Sequence, residues 1–368
     1  MKTFLILGAG TGGTMMANKL VKRLDPKEWK VILVDKDEVH YYQPGYLFLP
    51  FEYYKPEEVY QPKKKFVPSG VEFILSDVEL IEPEASKVTL VKDKKVIHYD
   101  QLLIATGTDI HPEEVDGMLD GWRQNIFDYY TFDGAMALRG FLKNFNGGRV
   151  VLNIKEMPIK CPVAPLEFMY LADYYFTQRG IRNKVDLIFT TPLSGPFTKP
   201  VSNKLLGDVM TKKGIHTEAE FDIMEVDAAN NIMRGYDGRE LEYDLLVSIP
   251  TNMGSDVIKR SGMGDDLHFV PTDKETLLAH PVVGPSWEGF VVENLLSCSP
   301  PGVHGHFYRS SGGAEIDLLL EWPDGKLWAI EIKRSLSPKL ERGFHSACAD
   351  LKPVRKIVIY PGHESYRI

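Results

Sequence analysis

The chain has 368 residues, 43% hydrophobic and 26% charged, which is an ordinary composition for a soluble protein of two or three domains. The formal net charge of −8 lies in residues 1–283, because residues 284–368 contain equal numbers of basic and acidic side chains. The acidic part is therefore not expected to bind nucleic acid through broad electrostatic attraction. Cys161, Cys298 and Cys348 are too few and too scattered for a disulfide scaffold or a zinc site, and no apolar run approaches the roughly 18–20 residues of a membrane span.

The chain opens with a short apolar run, Phe4–Leu7, that ends at glycines. This run is too short for a signal peptide, so it indicates a buried first strand and a cytoplasmic protein. Strands and helices then alternate along the chain. The predicted elements are the strands KTFLILGAG, WKVILVDKD, QLLIATGTD, GRVVLNIKEMP, KVDLIFTTP and LEYDLLVSIP, and the helices TGGTMMANKLVKRLDP and APLEFMYLADYYFTQRG. Such alternation predicts an α/β fold with parallel sheets covered on both faces.

The first chemical motif is the glycine pattern Gly8-Ala9-Gly10-Thr11-Gly12-Gly13, which follows the first strand and opens the first helix. The second strand ends at Asp35, roughly 20 residues further on, as in the dinucleotide fingerprint. Such glycines permit a tight turn, close approach of a pyrophosphate and close packing of helix on strand, while the carboxylate accepts hydrogen bonds from ribose hydroxyls. The alternative interpretation is a plain glycine turn.

The second motif is Ala105-Thr106-Gly107, at the end of the strand QLLI. In flavoproteins with two dinucleotide sites, a strand that ends in Ala-Thr-Gly closes over the adenine half of FAD. Alone, this pattern is typical of any strand end with a glycine. Together with the first motif, it favours FAD over NAD at the first site.

The third motif surrounds Cys161, which lies between Pro158 and Pro162, after a predicted strand and before a predicted helix. Prolines rigidify such a loop, and a helix N-terminus beside a thiol favours the thiolate. Redox chemistry and a buried structural cysteine both remain open from the residues alone.

Residues 1–278 resemble the sulfide:quinone oxidoreductase family, through stretches such as HYYQPGYLFLPF, LLIATG and MPIKCPVAPLEFMYLADYYFTQRGIRNKVDLIFTTPL. The resemblance implies two Rossmann-like FAD/NAD(P)-binding units of the flavoprotein disulfide-reductase type, an FAD-binding domain at 1–110 and a second dinucleotide-binding-like, redox domain at 111–278. It implies Cys161 and Glu167 as catalytic residues, and sulfide and quinone as substrates, with electrons passing through FAD. The residues expected to bind FAD are Gly8, Gly10, Gly12, Gly13, Asp35, Lys36, Gln43, Ala105, Thr106 and Gly107.

The chain departs from that family in two places. Thr108 stands directly after the Ala-Thr-Gly motif, where family members often have a cysteine. After Leu277 the family's last third is replaced, and with it the partner cysteine, the membrane-docking region and the quinone pocket. The expectation is an impaired activity in a soluble or weakly membrane-peripheral protein, with the oligomeric state left open.

The remaining residues, 284–368, contain a predicted hairpin in which EIDLLLE and LWAIEIK are joined by a turn at Pro323–Gly325. Asp317 and Glu331 are expected on neighbouring strands, with Lys333 on the same face as Glu331. Such a group could hold Mg²⁺ and polarise a phosphodiester, although this pattern alone is more typical of a charged solvent face.

These residues resemble a PD-(D/E)xK nuclease-like domain, of the small α/β restriction-endonuclease type, found at the C-terminus of a family of prokaryotic AAA ATPases. The resemblance implies Glu288, Asp317, Glu331 and Lys333 as the metal site, with Mg²⁺ and nucleic acid as ligands. The leading hypothesis for the fused chain is an FAD-dependent oxidoreductase. The alternatives are a non-catalytic flavin-binding protein and a metal-dependent, nuclease-like, DNA-interacting domain with a passenger flavoprotein body.

Overall fold

The structure is a computed structural model that describes residues 1–273, 278–279, 291–292, 295–296, 298–310, 314–332 and 342–359. The chain divides into two compact units, Met1–Phe269 and Val270–Ile368, each with its own sheets and helices. The mixed α/β class is confirmed. The domain limits at 110, 278 and 284 stay predictions.

The first unit alternates strands with helices over much of its length. Its strands are β1 Lys2–Leu7, β2 Trp29–Asp35, β3 Val39–Tyr41, β4 Tyr60–Pro62, β5 Val71–Leu75, β6 Val78–Glu82, β7 Lys87–Leu90, β8 Val96–His98, β9 Gln101–Ile104, β10 Thr108–His111, β11 Ile126–Phe127, β12 Gly148–Ile154, β13 Val185–Thr190, β14 Ile215–Glu218, β15 Ile223–Asp227, β16 Ile232–Gly235, β17 Glu240–Glu242, β18 Leu245–Ile249 and β19 Thr251–Gly254. Its α-helices are α1 Thr11–Leu20, α2 Phe132–Asn144, α3 Ala164–Gln178, α4 Pro200–Lys212 and α5 Asp256–Arg260.

The first sheet is parallel, in the order β5-β2-β1-β9. Apolar residues fill its central strands, and Leu5, Ile6, Leu7 and Leu33 are fully buried, as expected for strands covered on both faces. Because β1, β2 and β9 are parallel neighbours, the residues that follow them emerge at one edge. Gly8, Asp35 and Ala105 therefore meet at the carboxyl edge of this sheet.

The second sheet is also parallel, in the order β11-β18-β12-β13-β14. One face packs against α2 and α3 through a core that includes Leu152, Phe168 and Phe176. The opposite face carries Val151, Ile188 and other apolar residues that pack against the antiparallel sheet β15-β16-β17. Another antiparallel sheet, β6-β7-β8, and the pair β3-β4 lie between β2 and β9 in sequence.

Asp173, near the middle of helix α3, forms ion pairs with two residues that precede β13 and β14. Asp173 Oδ1 lies 2.8 Å from Arg182 Nε, and Asp173 Oδ2 lies 2.7 Å from Lys213 Nζ. Burial raises the pKa of Asp173, but the hydrogen bonds from Lys213 and Arg182 outweigh it and hold that pKa below its usual value. These ion pairs connect α3 to the segments that lead into β13 and β14.

The second unit contains β20 His304–Arg309, β21 Glu315–Glu321, β22 Leu327–Ile332, α6 Arg342–Leu351 and β23 Arg355–Ile359. Its strands form one sheet in the order β20-β21-β22-β23, and the predicted hairpin of β21 and β22 is confirmed. A small core with Ile316, Ala329, Phe344 and Cys348 lies under α6. Within the described part of the chain, no helix is both long and apolar enough to cross a bilayer.

Candidate functional site

The glycine turn after β1 has the geometry of a phosphate cradle. A Cβ on Gly8 (φ +99°) would lie 2.2 Å from Ala105 O, and a Cβ on Gly13 would lie 1.8 Å from Gly8 O. These two glycines are required by contacts within the protein. A Cβ on Gly10, in contrast, would meet no atom within 4 Å, so this backbone faces open space.

Helix α1 starts immediately after that opening. Gly10 is its N-cap residue and supplies no side chain, so the first-turn N–H groups are not capped from within the turn. Such N–H groups, with the positive end of the helix dipole, bind phosphate. The open backbone at Gly10 and the uncapped helix start therefore fit a pyrophosphate.

Asp35 lies at the end of β2 and closes one side of the cradle. Its Oδ2 accepts a hydrogen bond from Ala9 N at 2.5 Å, and its Oδ1 accepts from Asp37 N at 2.9 Å. Lys63 Nζ is 2.6 Å from Oδ1, and the two side chains are only 7% and 11% exposed for Lys63 and Asp35, respectively. Oδ1 has two donors and Oδ2 has one, so Oδ2 can accept a further hydrogen bond and Asp35 can still receive a ribose hydroxyl.

The remaining residues predicted to bind FAD lie around this edge or in the segments that leave it. Ala105 N donates to Leu7 O at 2.7 Å, which holds the Ala-Thr-Gly loop against the glycine turn, and Gly107 has the positive φ of +76° that a glycine adopts without strain. Thr106 is half-buried between them, Gly12 is exposed in the first turn of α1, and Lys36 is exposed directly after β2. Gln43 is exposed at the start of the 3-10 helix Gln43–Phe48. The structure thus brings Gly8, Asp35 and Ala105 into one cluster.

Cys161 occupies the corresponding position in the second sheet. It lies between the end of β12 and the start of α3, in a loop (residues 155–163) that contains no glycine. The side chain is half-buried and packs against the apolar core of this sheet. The predicted placement after a strand and before a helix is confirmed; the catalytic role stays a prediction.

The Cys161 loop is fastened on two sides. Tyr130 Oη donates to Cys161 O at 3.0 Å, and Lys160 N donates to Asn252 Oδ1 at 3.1 Å. Asn252 belongs to β19, which pairs with β10 so that Asn252 is opposite Ile110. Since β10 follows Gly107 directly, a pair of hydrogen-bonded strands links the Cys161 loop to the strand that leaves the glycine-turn edge.

Tyr130, which donates to Cys161 O, and its neighbour Tyr129 belong to the apolar core against which Cys161 packs. Burial and then the charges of Tyr130, Cys161 and Glu167 raise the pKa of Tyr129 well above its usual value. Burial and then the charge of Cys161 also raise the pKa of Tyr130, against a smaller opposing effect of its backbone hydrogen bond. Both tyrosines therefore stay neutral donors over the physiological range. Glu167 is exposed in the first turn of α3.

Lys160, the neighbour of Cys161, is exposed by surface area, yet its ammonium group loses hydration against the protein. This desolvation lowers the pKa of Lys160, while the charges of Asp109 and Asp128 raise it. Cys161 is thus followed by Pro162 and by the first turn of α3 with its exposed Glu167, and its backbone oxygen is held by Tyr130.

In the second unit, Asp317 and Glu331 lie on neighbouring strands as predicted. The register pairs Leu318 with Ile330, and Ile332 N donates to Asp317 Oδ2 at 2.7 Å. Glu331 is buried. Glu288 and Lys333 lie outside the described residues, and within the described residues no group of three or more His, Cys, Asp or Glu side chains is arranged to hold a metal ion. The Mg²⁺ site stays a prediction.

Several residues of the site were missed by the sequence analysis. Lys63 belongs to the run Lys63–Lys65, which looks like a solvated charge run, and nothing in the sequence marks one of its members as buried. Tyr129, Tyr130 and Asn252 come from segments distant in sequence from Cys161. For Asn252, the one weak signal of a structural role in the sequence is that a polar residue stands within an apolar strand pattern.

Comparison with known proteins relates the two parts of the chain to different families. Residues 2–141 match the family described as Pyridine nucleotide-disulphide oxidoreductase, and residues 283–368 match a Domain of unknown function (DUF4143). The mitochondrial Sulfide:quinone oxidoreductase of Dictyostelium discoideum is 27% identical over 279 residues, which cover 74% of this chain and 61% of that protein. An uncharacterised protein of Mycobacterium tuberculosis, Rv2008c, is 36% identical over 94 residues, or 26% of this chain and 21% of that protein.

Among solved structures, the sulfide:quinone oxidoreductase from Aquifex aeolicus has a TM-score of 0.63 at 19% identity, covering 96% of this chain and 90% of that chain. This likeness shows the fold alone, and it confirms the Rossmann-like flavoprotein disulfide-reductase type. The chain is homologous to sulfide:quinone oxidoreductases over about its first three quarters, and the match spans about three fifths of the length of the Dictyostelium relative.

Proposed function

We propose that the first unit binds FAD and oxidises sulfide through Cys161, with a quinone as the electron acceptor. One observation carries the proposal. The carboxyl edge of the first sheet has the glycine turn of a dinucleotide site, whereas the equivalent edge of the second sheet has Cys161. The chain therefore offers one phosphate cradle and one thiol, in the two places where this fold offers two nucleotide sites.

The cradle is suited to FAD through the backbone at Gly10, the first turn of α1, the carboxylate of Asp35 and the loop Ala105–Gly107. When bound, FAD supplies a two-electron acceptor for chemistry at the thiol. Lys63 holds Asp35 in place, and the contact between Gly8 and Ala105 holds the two loops together.

The Cys161 loop is unsuited to a second dinucleotide. A phosphate needs close approach to backbone N–H groups, which glycines permit, but residues 155–163 contain none. Proline residues at 158, 162 and 165 remove further N–H groups from the loop and from the first turn of α3. The electron donor is accordingly a small molecule that reacts at a thiol, as sulfide does, and not a reduced nicotinamide dinucleotide.

The experiment compares electron donors. The full chain is loaded with FAD, freed of unbound cofactor and mixed without oxygen with either sulfide or NADH while the flavin absorbance is followed. We expect sulfide to bleach the bound flavin, quinone to restore it, and NADH to leave it unchanged. Bleaching by NADH alone would contradict the proposal. Bound flavin that no donor bleaches would support the non-catalytic alternative.

The nucleic-acid and Mg²⁺ hypotheses for residues 284–368 rest on the neighbouring carboxylates of Asp317 and Glu331. They stay predictions. Metal-dependent cleavage of DNA by the full chain that Asp317→Asn removes would support them.

A further inference from the structure

Lys63 is a buried lysine beside the carboxylate that is proposed to bind the cofactor ribose. Its Nζ lies 2.6 Å from Asp35 Oδ1, and the side chains of Lys63 and Asp35 are only 7% and 11% exposed. Lys63 follows β4, which pairs with β3 so that Pro62 is opposite Val39, and Lys63 N donates to Glu38 O at 2.8 Å. The backbone therefore fixes Lys63 next to the end of β2, at the same edge of the first sheet as the glycine turn.

The carboxylate of Asp35 has room for one more hydrogen bond. Oδ1 already accepts from Asp37 N at 2.9 Å and from Lys63 Nζ, whereas Oδ2 accepts from Ala9 N at 2.5 Å. A carboxylate oxygen accepts about two hydrogen bonds, so Oδ1 is filled and Oδ2 has one position left. The adenosine ribose of FAD has two neighbouring hydroxyls. Asp35 alone can therefore receive one of them and not both.

Lys63 has the donors that the other hydroxyl requires. An ammonium group carries three N–H donors, and within the residues that the structure describes Asp35 Oδ1 accepts from only one of them. Because buried charged groups are normally hydrogen-bonded as well as paired, the other two donors are available to an acceptor outside the polypeptide. A ribose hydroxyl held at Asp35 Oδ2 brings its neighbour to the same carboxylate, where Lys63 Nζ is the adjacent cation.

We propose that Asp35 and Lys63 divide the two hydroxyls of the adenosine ribose between them. One hydroxyl donates to Asp35 Oδ2, and the other accepts from Lys63 Nζ. This inference rests on the proposed function, because it assigns a further residue to the FAD site, and it concerns the adenosine part that FAD shares with ADP. Lys63 is then a ribose-binding residue as well as the counterion of Asp35. The site selects ribonucleotides over their 2′-deoxy and 3′-deoxy analogues.

The experiment measures binding of ADP, 2′-deoxy-ADP and 3′-deoxy-ADP, and it needs neither flavin nor turnover. The full-length wild-type, Lys63→Met and Lys64→Met proteins are freed of FAD, checked for folding by circular dichroism and titrated with each nucleotide in a calorimeter. Lys64 is the matched control, because it is the exposed neighbour of Lys63. The quantity compared is the ratio of the Kd of each deoxy analogue to the Kd of ADP, which a general loss of affinity does not change.

In the wild type and in Lys64→Met, we expect each missing hydroxyl to raise Kd about tenfold, as for loss of a hydrogen bond to a charged group. In Lys63→Met, one of the two ratios should fall to about one, because the partner of that hydroxyl is gone. The other ratio should stay near tenfold, because Asp35 Oδ2 is still present. If Lys63→Met does not fold, Asp35→Asn/Lys63→Met replaces it, since this protein has no unpaired buried charge and its asparagine keeps an oxygen acceptor. The same single ratio should fall to about one.

The failures are distinguishable. If ADP does not bind to the wild type, the glycine turn is not an adenine-nucleotide site, and the FAD assignment of the proposed function falls together with the inference. If ADP binds but the wild type is indifferent to one of the hydroxyls, or if both ratios in Lys63→Met match the wild type, the inference is overturned while the FAD site stands. Loss of both preferences in Lys63→Met would show that Lys63 acts only by holding Asp35 in place, which also overturns the inference.

Discussion

Substituting alanine for Gly13 and for Gly10 should separate the two demands on the glycine turn, namely packing within the protein and access for a cofactor. A Cβ on Gly13 would lie 1.8 Å from Gly8 O, whereas real Cβ atoms essentially never come closer than 3.0 Å to a heavy atom of a residue that is not adjacent in the chain. The turn and α1 must therefore separate by about 1.2 Å or more. The atom it meets is backbone, so no side chain can rotate away.

The cost of Gly13→Ala follows from that displacement. Forcing extra volume into a well-packed position costs about 1–3 kcal/mol and sometimes more. For a unit of this size, each kcal/mol lowers the unfolding midpoint by about 2–4 °C. The displaced turn should also lose its fit to FAD. Gly10→Ala has no such clash and has an ordinary φ of −73°, so its thermal midpoint should match the wild type.

The assay combines thermal unfolding of the FAD-free proteins with FAD titration. We expect Gly13→Ala to lose both stability and FAD binding. Gly10→Ala should keep its stability but bind FAD about tenfold or more weakly, since the added methyl stands where the pyrophosphate must approach. A Gly10→Ala protein that binds FAD as well as the wild type would refute the cradle, and a fully stable Gly13→Ala protein would refute the packing argument.

Three further substitutions test the surroundings of the site. Lys63→Met leaves the buried carboxylate of Asp35 without its ion pair and should lower the free energy of unfolding, measured with denaturant, by about 3–5 kcal/mol. The control Lys64→Met changes an exposed lysine and should lower it by less than about 0.5 kcal/mol. The pKa of Asp173 in the folded protein lies below its ordinary value of 3.8. The wild type should therefore be more stable than Asp173→Asn above pH 3.8, and this difference in unfolding free energy should shrink as the pH falls through the folded-state pKa. A difference that does not change in acid would contradict this. Asn252→Ala removes the acceptor for the Lys160 N–H and should lower the free energy of unfolding by about 1–2 kcal/mol. It should also speed alkylation of Cys161. An unchanged alkylation rate would show that this hydrogen bond does not order the Cys161 loop.

Motifs that depend on local geometry could be predicted from the sequence. The spacing of Gly8, Gly13 and Asp35 follows from a strand, a tight turn and a helix that must pack closely, and the structure has those contacts. The hairpin of β21 and β22 likewise follows from two apolar strand patterns around Pro323–Gly325. In each case one continuous unit of the chain, a strand–helix–strand unit or a hairpin, decides the outcome.

Contacts between distant segments could not be predicted in that way. Lys63 looks the same as Lys64 in the sequence, and only the approach of β4 to the end of β2 decides which lysine is buried. The pairing of β10 with β19 joins segments more than 130 residues apart and ties the Cys161 loop to the strand after Gly107. Among the residues that the structure describes, the Tyr129 hydroxyl has no hydrogen-bond partner, and this property of its packed surroundings is not encoded by composition or periodicity.

Anaerobic reduction of bound FAD by sulfide in the wild-type, Cys161→Ser and Cys298→Ser proteins shows whether Cys161 is the residue that reacts with sulfide. Serine retains the shape of the side chain but lacks a thiolate, and Cys298 is an exposed cysteine of the second unit that serves as the matched control. We expect rapid bleaching of the flavin in the wild type and in Cys298→Ser, and none above the uncatalysed rate in Cys161→Ser. Equal bleaching in Cys161→Ser and the wild type would contradict this expectation and would make Cys161 a structural residue.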